Sequence, residues 1–163
     1  MEQILEGAEC SVRCAYRNEW DDAMVLAWRT FMQFEAKDYS KRGIDSFQDF
    51  ITDPFLHRMF IMGAYQLFVA IQDNKIVGII SLRDETHISL LFVDAKYHRH
   101  GIGRKLIEYL CEYVEQEEGH RKVTVNAAPY AVGFYHKLGF RDKGIEQTND
   151  GIRFTPMIRT WNK

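Results

Sequence analysis

The chain has little of what marks specialised architectures. Its 163 residues include only three prolines and three cysteines. No apolar run approaches the about 20 residues that span a bilayer, so no membrane association is expected. Lysine plus arginine (21) nearly balance aspartate plus glutamate (23), for a net charge of −2. Such a balance gives no field that would draw the whole chain to nucleic acid or an anionic surface. The first fifteen residues carry Glu2, Glu6 and Glu9 and lack the basic and apolar regions of a secretion signal. A cytoplasmic location is therefore expected. Cys10, Cys14 and Cys111 are odd in number and too few for a disulfide framework, which suits a reducing compartment. Cys10 and Cys14 share one face of an expected strand, and no second Cys or His pair follows at zinc-site spacing, so no metal is expected. Repeats, low-complexity tracts and linkers are absent. The length favours a single domain over residues 1–163.

What is present is an alternation of strand and helix patterns. Residues 10–17 read as a strand. Asn18 is placed to cap a helix in which Ala23, Leu26, Ala27, Thr30, Phe31 and Phe34 recur on one face. Residues 35–43 are polar and read as a loop. Phe47, Phe50 and Ile51 mark a short helix that Pro54 ends. Residues 67–71 and 76–82 are β-rich and joined by Asp73-Asn74, a hairpin turn. A third apolar run covers 87–93. Leu106, Ile107, Leu110, Cys111 and Val114 form a helical stripe that Gly119 stops. Then come a strand at 122–127, a short helix at 131–138, and strands at 140–147 and 152–158 joined by Asn149-Asp150-Gly151. This order predicts an α/β domain of α+β type. Its sheet is mixed but mostly antiparallel, with six to seven strands and helices on both faces. The terminal hairpin at 140–158 is the edge through which a homodimer would form.

The apolar run 87–93 leads into His98-Arg99-His100-Gly101-Ile102-Gly103-Arg104-Lys105, which opens a helix. The first amides of a helix lack internal partners and carry partial positive charge, so such a junction can hold an anion. Glycine lets backbone approach a phosphate closely. A Walker loop is excluded because Gly-Lys-Ser/Thr is absent, and the third glycine of a dinucleotide loop is replaced by Leu106. Taken alone, Gly-x-Gly is equally a tight turn into a helix.

The segment resembles the coenzyme A pyrophosphate loop of the GNAT superfamily of N-acetyltransferases, Gln/Arg-x-x-Gly-x-Gly/Ala at a strand-to-helix junction. Gly101 and Gly103 match the small positions, and His98 stands where Gln or Arg is usual. The stretch Ala131-Val132-Gly133-Phe134-Tyr135-His136-Lys137-Leu138-Gly139-Phe140 resembles a second family element, Ala-x-x-Phe-Tyr-x-x-x-Gly-Phe, at the expected distance downstream. An asparagine usual three residues before that alanine is Ala128 here.

The resemblance implies acetyl-CoA as co-substrate, without metal, and acetyl transfer to an amine of a small molecule or peptide. By that likeness, backbone at Leu91, Phe92 and Val93 would meet the pantetheine arm. His98, Arg99, His100, Gly101, Ile102, Gly103 and Arg104 would line the pyrophosphate. Tyr135 would protonate the departing thiolate, against the plain alternative of a core aromatic.

A protonated amine needs a base before it can attack. His87 is the candidate, since histidine titrates near neutral pH, against the alternative of an exposed strand-start histidine. Glu85 is a weaker candidate. Glu35 and Asp38 beside Trp28, Phe31, Phe34, Tyr39 and Phe47 would suit a cationic acceptor, or these rings are simply core and the carboxylates solvated. A non-catalytic acyl-CoA-binding module on the same fold is the competing function. Gly101→Asp should abolish coenzyme A binding and leave the fold intact; calorimetric titration checks it, and unchanged affinity would remove the loop from the site.

Overall fold

The computed structural model describes residues 10–162. It opens with β1 (Ser11–Cys14), followed by α1 (Trp20–Phe34). Asn18 does not cap that helix. Residues 17–19 form a 3-10 turn, and the Glu19 carboxylate accepts the Tyr16 amide (2.7 Å) and the Arg13 guanidinium (2.9 Å). This local clamp fixes the entry and moves the helix start to Trp20. Helix α2 (Lys41–Ile51) begins inside the expected loop because Ser40 accepts the Gly43 amide and acts as N-cap. A further helix, α3 (Pro54–Ile61), escaped the sequence reading. The proline that ends α2 also starts α3 at its first position, with the Asp53 side chain accepting the Phe55 amide.

Strands β2 (Gln66–Gln72) and β3 (Lys75–Arg83) form the expected hairpin, with Asp73 and Asn74 both at positive φ. A second tight turn, Asp84 and Glu85 at φ 52° and 69°, returns the chain into β4 (His87–Val93). Then follow α4 (Ile102–Tyr113), β5 (Lys122–Ala127), α5 (Val132–Lys137), β6 (Arg141–Asp142), β7 (Gln147–Asn149) and β8 (Ile152–Thr160). Among the described residues there are eight strands, in the order β1-β2-β3-β4-β5-β8-β6, with β7 pairing β8. The count exceeds the expected six to seven because the single strand expected at 140–147 is two short ones. Among the described residues every pairing is antiparallel except β4–β5.

Side chains alternate between two cores, one on each face of the sheet. Leu106, Ile107 and Leu110 of α4 pack on Phe68, Ile80, Val123 and Met157. On the other face Leu26, Ala27 and Phe31 of α1 pack on Leu67, Val69, Ile79, Leu90 and Phe92. Helix α4 lies so close to β3 that a Cβ on Gly78 would stand 3.1 Å from Leu106 Cδ1 and 3.2 Å from Ile102 Cγ2. Ile102, at the tip of α4, is itself core, so the start of that helix is held rigidly over the sheet. Leu106→Ala should cost about 2–5 kcal/mol. Urea unfolding should show a lower midpoint at unchanged slope.

Candidate active site

The site originates in the single parallel pairing. Strand β4 meets β5 at His87↔Thr124 and Ile88↔Val125 and then runs on without it. The Asp94 amide bonds the Val77 carbonyl of β3 (2.8 Å), and Phe92 pairs Ile79 in the same ladder. Backbone groups of alternate residues point to opposite sides of a strand, so those of Leu91 and Val93 face away from β3, into the gap. The Leu91 and Val93 amides are therefore open to the gap, whereas the Phe92 backbone is engaged with β3. The Phe92 ring instead packs on Phe47 (5.7 Å between centroids). The Val93 carbonyl is already bonded by His98 Nε2 at 2.7 Å.

At one end of the gap stands the start of α4. Arg99 and Gly101 adopt left-handed φ of 68° and 77°, a kinked approach that leads into the helix. A Cβ on Gly101 would meet nothing within 4 Å, so glycine serves the backbone angle there. Gly103 has a different reason: a Cβ would come within 2.9 Å of the Phe134 ring. The two sequence elements thus touch each other, with Phe134 of α5 resting on the first turn of α4. Arg99, His100 and Arg104 are exposed at this end. Lys105 turns away and donates to the Cys10 carbonyl (2.7 Å). His98 also turns inward, stacking on Phe34 (4.8 Å), which in turn stacks on Tyr130 (5.4 Å). Its ring therefore braces the strand end and α1.

The other end opens into a cleft of about 340 Å³, lined by Ser89–Phe92 from β4, Val125–Ala127 from β5 with Ala128 just after it, and side chains of α1, α2 and α5. Tyr135 lines it, is 4% exposed, and has T-shaped contacts with Phe134 and Phe140. Among the described residues nothing bonds its hydroxyl. Burial and the nearby Glu35 charge both raise its pKa, so the hydroxyl keeps its proton.

His87 lines the cleft with Nδ1 2.8 Å from Thr124 Oγ1. Burial, helped by Arg83, pushes its pKa down to about 4. The ring is therefore neutral at pH 7, and the expected titration near neutrality does not occur. Glu85 is exposed, outside the cleft, and accepts from His120 at 2.9 Å. His136 bonds Asp142 at the surface, and His57 stacks on Trp20.

Glu35 is the residue that takes on new weight. It follows α1 directly, its backbone amide bonds the Phe31 carbonyl, and its carboxylate lines the cleft with no donor or cation among the described residues. Burial first, then repulsion from Asp38, raises its pKa to about 7. Part of its surface faces the cleft, so it is half-buried rather than sealed. In the sequence it was one acid in a polar stretch, and only the fold aims it inward.

The acetyltransferase (GNAT) domain family matches residues 35–161. The chain belongs to the GNAT family. The peptidyl-lysine N-acetyltransferase YjaB of Salmonella typhimurium is 27% identical over 149 residues, 87% of this chain and 91% of that protein. A GCN5-related N-acetyltransferase from Rhodopseudomonas palustris superposes with a TM-score of 0.79 at 23% identity, covering 93% of this chain and 95% of the other. The PaiA N-acetyltransferase from Thermoplasma acidophilum, solved with coenzyme A, gives 0.73 at 18%, covering 94% and 99%. These two structures share the fold. The GNAT domain is an acetyltransferase, and GNAT acetyltransferases use acetyl-CoA as donor. Among its described residues no group of three or more His, Cys, Asp or Glu is placed to hold a metal, and no helix is long and apolar enough to cross a membrane.

The raised Glu35 pKa is also a statement about stability. The folded domain binds the Glu35 proton more tightly than the unfolded chain, whose value is near the ordinary 4.5. Stability from this group is full below about pH 4.5 and is lost as pH rises through about 7. Glu35→Gln should therefore raise the melting temperature at pH 8, and the gain should shrink towards pH 5. A gain that does not depend on pH would mean the carboxylate is solvated.

Proposed function

We propose that the GNAT domain moves the acetyl group of acetyl-CoA directly to a primary amine of a small molecule or peptide while both substrates are bound. The observation that carries this is one continuous path. A helix start suited to phosphate leads to a strand edge with free backbone groups, and that edge leads to a cleft holding an unpaired, protonated tyrosine.

The residues divide the work by position. The amides from Gly101 to Arg104 and the exposed Arg99, His100 and Arg104 side chains suit a pyrophosphate. His98 acts through the strand, by fixing the Val93 carbonyl. The Leu91 and Val93 amides are available to the pantetheine arm and, at its end, to the thioester oxygen as negative charge develops there. Tyr135 supplies the proton to the leaving sulfur. His87 is neutral at working pH, and in the tautomer whose Nδ1–H donates to Thr124 its Nε2 accepts from the acceptor or a water. Holding both reactants at one gap contributes much of the rate. The named activity of the Salmonella relative, on peptidyl lysine, supports a primary amine as acceptor.

Tyr135→Phe should lower kcat about 100-fold or more, while the acetyl-CoA dissociation constant by calorimetry stays within about twofold. Full activity in that variant would remove Tyr135 from the acid role.

A further inference from the structure

The cleft holds one charge that no described residue answers. Of the charged side chains lining it, Arg83 is matched by Asp84 at 2.7 Å, and Glu35 has no partner among the described residues. A carboxylate partly withdrawn from water and unpaired is costly unless a cation or a proton joins it. Its surroundings are aromatic. Phe31, Tyr39, Phe47 and Phe50 line the same cleft. Phe31 stacks on Phe47 at 4.1 Å and meets Tyr39 edge-on at 5.0 Å, so the wall is a packed sheet of rings. Rings beside a carboxylate suit an ammonium group on an apolar body.

Beside the cleft two of the elements that line it are in contact. The β7–β8 turn rests on the start of α2, so that a Cβ on Gly43 would collide with the Gly151 carbonyl and one on Gly151 with Ser40 Oγ. Arg42 bonds Asp150 across the same contact (3.0 Å). Ser46, Phe47 and Phe50 of α2 and Ile152 of β8 both face the cleft, so this contact straps its two walls together. An extended peptide laid across the cleft would need that seam open.

We infer that Glu35 receives the acceptor's ammonium group and takes its proton, and that the acceptor is a primary amine carried on a short apolar or aromatic body. The inference rests on reading this cleft as the acceptor end of the transferase. In the step, a proton passes from the ammonium nitrogen to a Glu35 oxygen. The freed lone pair forms the C–N bond as the C–S bond breaks. The sulfur takes the Tyr135 hydroxyl proton, and the surplus proton on the new amide nitrogen restores the tyrosine. Glu35 releases its proton to water, so one proton leaves per turnover. Burial and the neighbouring Asp38 charge set its titration; Tyr39, Tyr135 from α5, and His87 and Arg83 from β4 and β3 face the same cleft, and Arg153 of β8 stands 3.9 Å from Asp38.

The test compares 2-phenylethylamine, a lysine-containing heptapeptide and glucosamine 6-phosphate as acceptors for the wild-type protein and Glu35→Gln, with acetyl-CoA binding measured separately. The wild type should prefer 2-phenylethylamine by about tenfold or more in kcat/KM. Glu35→Gln should lower that value about 100-fold or more, leave acetyl-CoA affinity unchanged, and abolish the limb of the pH profile that rises through about pH 7. Glu35→Asp should restore part of the rate and the limb. An equal or better rate with the peptide or the sugar phosphate, or an unchanged pH profile in Glu35→Gln, overturns this inference and leaves the transferase reading standing. Tight acetyl-CoA binding without product from any acceptor overturns both.

Discussion

Everything in this site follows from the short parallel contact between β4 and β5. Two residue pairs join them, and then the strands part. In a fully zipped sheet the Leu91 and Val93 groups would be consumed by the neighbouring strand, as those of Phe92 are by β3. The parting leaves the Leu91 groups and the Val93 amide open, with the Val93 carbonyl taken by His98, and open backbone groups are what an amide-rich arm can use. Antiparallel ladders on both sides hold the gap open. Strand β4 is tied to β3, and β5 is tied along its length to β8.

Helix α4 then gives the gap a direction. It is pinned by Ile102 and Leu106 over Gly78, so its N-terminus cannot drift from the end of β4. Phe134 settles on Gly103 and thereby sets α5, which carries Tyr135 into the opposite end of the gap. The start of α4 and the Tyr135 hydroxyl are thus positioned by one packing contact. A bulkier residue at 103 would disturb both.

Electrostatics separates the titratable groups that face the cleft. Burial lowers His87 to about 4 and raises Glu35 to about 7, because it penalises whichever form is charged. Tyr135 is driven the same way as Glu35 and stays protonated. The result is a neutral imidazole, a carboxylate poised near neutrality, and a phenol that keeps its proton. That set matches what acetyl transfer to an ammonium asks for.

The sequence by itself determined most of the order of elements, a mixed sheet with helices on both faces, and the family. These follow from local patterns: alternation, helical stripes, positive-φ turns such as Asp73-Asn74, and two glycine-bearing motifs at fixed spacing. It also held Tyr135 and the start of α4. It did not reveal α3, because a proline that stops one helix and starts the next leaves one signal for two events. Nor did it distinguish Gly101, required by backbone angle, from Gly103, required by Phe134. The surroundings of His98, His87 and Glu35 were decided only by tertiary structure. Whether a histidine titrates near 7 or a glutamate near 4.5 depends on what surrounds it. In this domain those surroundings come from segments that are up to a hundred residues apart in the chain.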